Sequence, residues 1–115
     1  MTKLEITSES LKDAWVLHLK GALDAYNHVV FREAVDSHVK KGRHKLVVDF
    51  SDLTYLGSSG LEVILAHIQP VRNAGGDIVL CGMSPKIYKV FDLLGLPSFF
   101  TIVPTLDEAL AAFHG

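Results

Sequence analysis

The 115-residue sequence has one cysteine, Cys81, four prolines and no long apolar run. A single cysteine closes no internal disulfide and builds no cysteine zinc site, so nothing calls for an oxidising compartment. A membrane helix needs roughly 18 consecutive apolar residues, and the opening MTKLEITSES carries no apolar segment of signal-peptide length. A cytoplasmic protein with no membrane partner is expected. Charge of one sign is missing as well: 11 Lys and Arg against 13 Asp and Glu give a net charge of −2, with no block of like charge. Neutralising nucleic-acid phosphates needs clustered cations, so nucleic acid is not an expected partner. Neither GxxxxGK[ST] nor GxGxxG occurs, which removes two common phosphate cradles. His18, His28, His38, His44, His67 and His114 lack ligand spacing and read as scattered surface or edge residues, so no metal is expected. With no catalytic set and no cofactor motif, the chain is not expected to be an enzyme.

What is present is a chain 49% hydrophobic, 9% aromatic and 21% charged, the composition of one soluble domain over residues 1–115. At this length about two thirds of the surface can be buried without staples. Residues 3–7 alternate apolar and polar, residues 8–13 are turn-like, and residues 14–20 alternate again, which predicts an antiparallel hairpin. After Leu23, Asp24 and Asn27 suit the opening of a helix whose stripe is Val30, Phe31, Ala34, Val35 and Val39, ending near Gly42. Residues 45–50 (KLVVDF) form a buried strand, and residues 51–57 read as a loop. Leu61, Ile64, Leu65, Ile68 and Val71 mark the cleanest helix, closed by Gly75 and Gly76. A strand at 77–81, a helix with Pro85 in its first turn, a strand at 99–103 and a capping box from Thr105 to Glu108 complete the chain. The order ββαβαβαβα predicts an α/β fold with a mixed, mostly parallel sheet and an N-terminal antiparallel hairpin. In such sheets functional groups gather beyond the strand carboxyl ends, here residues 21–27, 51–60 and 82–85. Cys81 reads as a packing residue, and Asp49 and Asp52 as turn formers or caps.

One segment carries a sharper expectation. In DFSDLTYLGSSGLEVIL, residues 49–65, Ser59 and Glu62 form an S-x-x-E capping box, which leaves Ser58 just outside the helix with no structural task. Gly57 and Gly60 are small enough to let a partner approach. A helix amino end also suits a phosphate, because free N–H groups and the dipole face it. A phosphoserine brings about −1.5 to −2 charges and would act as a local binding switch. The plainer reading is that both serines only cap and turn.

The G-x-L-D of residues 21–24, the strand LVVDF, the DLTYLGSSGL of residues 52–61, the GGDIVLC of residues 75–81 and the SP…FDLLGL of residues 84–96 resemble a STAS domain. More narrowly they resemble the bacterial anti-sigma factor antagonists. The resemblance implies partner switching and control of transcription. The unphosphorylated antagonist binds an anti-sigma factor that is also a serine kinase of the histidine-kinase-like ATPase type. Phosphorylation of a serine at a helix start switches it off, and a PP2C-type phosphatase restores it. Ser58 matches that serine, and Asp24 matches a position beside it that contributes to partner recognition. Asn27, Gly57, Gly60, Leu61, Met83 and Ser84, from the three loops, complete the expected contact surface. Gly57 stands where many family members carry Asp. The alternative is a STAS subunit held constitutively in a transporter ATPase complex or a stress-signalling particle, with Ser58 a packing residue. A phosphoacceptor receiver domain, with Asp49 as acceptor, would need an acidic pair and a late strand-end Lys that the sequence does not offer.

Overall fold

A computed structural model of the protein describes residues 3–113, and its elements follow the order ββαβαβαβα. His114 lies outside the described residues. Strands β1 (Leu4–Leu11) and β2 (Ala14–Leu23) form the antiparallel hairpin. Lys12 and Asp13 turn it with φ of 47° and 69°, the two positive values that a twisted two-residue turn requires. Residues 8–11, polar but for Leu11, are expected in the turn, yet they extend β1. The ladder is made by backbone, and an edge strand leaves such side chains in water.

Strands β3 (Lys45–Leu56), β4 (Asp77–Cys81) and β5 (Ile102–Val103) add in parallel, giving the sheet order β1-β2-β3-β4-β5. The expected loop at 51–57 is instead the second half of β3. Its partner β2 continues alongside, pairing Lys20 with Asp52, Gly21 with Leu53 and Leu23 with Leu56. Two register shifts place extra residues on β3, and this is how Ser51, Asp52 and Thr54 fit a strand without breaking it. The last strand is shorter than residues 99–103, because Gly95 (φ 70°) and a 3-10 turn at Leu96–Ser98 take up the approach to it.

Helices α1 (His28–Lys40), α2 (Ser58–Asn73) and α3 (Pro85–Leu93) cover one face of the sheet. Their apolar stripes meet Leu17, Leu19, Val48 and Phe50 in the main core, with Phe31, Ile64, Ile68 and Phe91 buried between the layers. The short α4 (Leu106–Ala111) covers only part of the other face, where Ala109 and Leu110 meet Val16, Val47 and Val79. Thr105 caps it by accepting from the Glu108 N–H at 3.2 Å, as the sequence predicts.

Two polar residues depart from expectation. His38 is buried rather than superficial. Arg43 donates to its Nδ1 at 3.1 Å, its Nε2 faces the Ser8 hydroxyl at 3.1 Å, and Trp15 packs against the ring. Asp49 is neither turn nor cap: it lies within β3 and accepts from the Ser51 N–H and hydroxyl at 3.0 and 2.6 Å. Cys81 is fully buried, and burial together with the nearby Asp49 carboxylate pushes its thiol up to about 12, so packing is its role.

Candidate functional site

The carboxyl ends of β2 and β3 are tied directly to each other. The Gly57 N–H donates to the Leu23 carbonyl at 2.8 Å, so the chain leaving β3 and the chain leaving β2 start their loops side by side. Beyond Leu23 the loop is held by its own polar side chains. The Asp24 carboxylate accepts from the N–H groups of Tyr26 and Asn27 at 2.9 and 3.1 Å. The Asn27 amide oxygen accepts from the Asp24 N–H at 2.9 Å, while its NH2 donates to the Ala22 carbonyl at 2.8 Å. Asn27 thus stands at the start of α1 without capping it, because its side chain is spent on the loop.

The expected capping box does not form. The α2 helix begins at Ser58, two residues earlier than the box requires, and its cap position is Gly57, with φ −89° and ψ 169°. The Gly57 carbonyl accepts from the N–H groups of Gly60 and Leu61 at 3.1 and 3.2 Å. The strand pairing that runs through Leu56 sets this start: once the Gly57 N–H is fixed on Leu23, the next residue is already helical. Ser59 is therefore inside the helix, where its side chain cannot cap, and Glu62 is an exposed residue of the second turn. No side chain caps α2 and no acidic residue stands in its first turn. The positive end of its dipole is uncompensated by the helix itself.

Ser58 is exposed and Ser59 half-buried, so the two serines differ in access rather than in capping. Gly60 is buried: a Cβ there would lie 2.5 Å from Leu23 Cγ and 2.9 Å from Leu56 Cδ1. Leu61 is 5% exposed and points into the core. These two residues support the surface from below. Gly57 has room, because its Cβ would make ordinary contacts of 3.4 to 3.5 Å with the Tyr55 ring and the Leu23 carbonyl.

The third expected loop, residues 82–84, leads from β4 into α3, whose Lys86, Ile87 and Val90 line a shallow pocket with Thr54, Tyr55 and Leu56 at the end of β3. Met83 packs against the core, and Ser84 caps α3 by accepting from the Ile87 N–H at 3.2 Å. Two residues that sequence reasoning missed flank the site. Tyr26, in the Asp24 loop, is 94% exposed, and Tyr55, beside Gly57, is 51% exposed. Their signal was an aromatic residue among turn formers, where no core position calls for one.

An exposed serine at the first position of an uncapped helix stands beside a hydrogen-bonded loop carrying the Asp24 carboxylate and the exposed Tyr26, with the exposed Tyr55 at the end of β3. Together with the five-stranded sheet, this arrangement defines the class. The chain belongs to the STAS domain family, whose model spans residues 5–109. Among relatives, BtrV of Bordetella bronchiseptica is 28% identical over 110 residues, covering 96% of this chain and 95% of the relative. The anti-sigma F factor antagonist of Paenibacillus polymyxa is 27% identical over 110 residues, covering 95% and 92%. The crystal structure of an anti-sigma factor antagonist from Mycobacterium paratuberculosis matches with a TM-score of 0.91 at 26% identity, covering 98% of this chain and 96% of its own.

Proposed function

We propose that this chain is an anti-sigma factor antagonist that works by protein contact in the cytoplasm and is switched by phosphorylation of Ser58. The observation that carries the reading is the exposed Ser58 at the start of α2, a helix with neither a capping side chain nor a first-turn acid. A phosphate there meets the positive end of the helix dipole, so the fold can hold it. The same phosphate adds about −1.5 to −2 charges beside Asp24, so a partner docked on the unmodified surface is repelled. Similarity over 95% of the chain to an anti-sigma F factor antagonist supports an anti-sigma factor as the partner. In this reading that partner is also a serine kinase, and a PP2C-type phosphatase reverses the mark. In this reading the chain is a substrate and ligand of enzymes and catalyses nothing itself. Asp24, Tyr26 and Tyr55 form the rim of the docking surface.

The test is incubation with the cognate kinase and ATP, followed by intact mass and site mapping. One phosphate on wild type and none on Ser58→Ala is expected. A phosphate mapped elsewhere, or a stoichiometric complex that ATP leaves unchanged, overturns the switch.

A further inference from the structure

Away from Ser58, the half of the sheet that α4 leaves open carries a polar cluster across three strands. His18 on β2 is flanked by two carboxylates: Nδ1 lies 2.7 Å from Asp49 Oδ2 on β3, and Nε2 lies 2.6 Å from Glu9 Oε2 on β1. Both neighbours are acceptors, so both ring nitrogens must donate, and only the imidazolium can do so. Asp49 is held from its other side by Ser51, with its side chain 14% exposed against 50% for Glu9. The other groups on this face are Glu5 and Thr7 on β1, Lys20 on β2, Ser51 and Asp52 on β3 and the buried Cys81 on β4, while α4 presents Ala109 and Leu110 to the row below.

We infer that His18 is a proton-operated staple of the opening hairpin. As the imidazolium it joins β1, β2 and β3, and when Nε2 gives its proton to solvent it keeps Asp49 and lets go of Glu9, freeing the carboxyl end of β1. Asp49 is kept because it is the more enclosed carboxylate, and leaving it without a donor costs more. Burial alone would lower the His18 pKa, but the Asp49 and Glu9 carboxylates outweigh it and raise it above the usual 6.5. β1 is a sheet edge whose ladder pairs with β2 alone, so this tie through β2 to β3 is a restraint that the open outer side of β1 does not duplicate. The staple does not depend on the phosphorylation of Ser58.

Side-chain 15N NMR of the full chain across a pH series reads the His18 protonation state directly, and amide exchange of residues 8–11 reads the strand. The expected result is a His18 imidazolium that titrates above 6.5. Glu9→Gln, an exposed change, is expected to lower that midpoint by about half a pH unit. Exchange at residues 8–11, corrected for intrinsic rate, should rise about threefold through the wild-type midpoint and show no step in Glu9→Gln. A neutral His18 at pH 6.5, a midpoint unmoved by Glu9→Gln, or exchange without a step at the His18 midpoint overturns the inference.

Discussion

Ser58 and its immediate neighbours set the chemistry of the surface. A carboxylate at position 58 stands at the positive end of the α2 dipole, so Ser58→Glu should raise folding stability by about 0.3–1 kcal/mol in urea unfolding while weakening partner binding. Loss of binding through misfolding would move both quantities downward, so the opposite signs separate a charge switch from damage. Gly57 and Gly60 invite contrasting outcomes although both are glycines. Position 57 has extended backbone and space, so Gly57→Asp should fold and add a few tenths of a kcal/mol by capping α2. At position 60 a methyl group would meet Leu23 at 2.5 Å, and Gly60→Ala should cost about 1–3 kcal/mol. Of this candidate site, Asp24 was marked in the sequence by helix-opening chemistry and by the resemblance, whereas Ser58 was marked by the resemblance and by a capping box that does not form. Tyr26 and Tyr55 were not, because only the pairing of β2 with β3 brings the two loops together.

At the scale of elements, local pattern located all four helices, the first three by an apolar stripe and a stop and α4 by its capping box. It also located β4, a short run buried on both faces. What it missed was decided by partners distant in the chain. The stretch SDLTYL looks like a loop because Ser51, Asp52 and Thr54 favour turns, yet bulges let β2 hold it as strand to Leu56. That extension moved the start of α2 to Ser58 and removed the capping box. It also carried Ser58 past the end of β4. Ser84 has a structural duty of its own. Ser84→Ala should cost about 1 kcal/mol in thermal unfolding through its lost bond to the Ile87 N–H.

For the whole molecule, the small net charge conceals opposing titrations. His18, raised above 6.5 by its two carboxylates against the effect of burial, contributes stability that is complete below 6.5 and lost as the pH climbs through its folded value. His38, lowered by burial and then by Arg43 and Lys41, contributes stability that is complete above 6.5 and lost as the pH falls. Asp36, lowered chiefly by its bond to His67, and Asp49, lowered by Ser51 and His18 against burial, add stability that disappears below the ordinary carboxylate value of 3.8. The melting temperature should therefore peak near pH 6.5, fall on both sides, and fall further as the carboxylates protonate. In the proposed switch, a chain of net charge −2 would gain nearly as much again on Ser58, with the change concentrated at the proposed docking surface. The most direct test of that claim is calorimetric titration of the anti-sigma kinase with the unmodified protein and with the protein phosphorylated on Ser58. Tight binding by the first and at least a tenfold loss in the second, about 1.4 kcal/mol, is expected. Equal affinities for the two forms would contradict it.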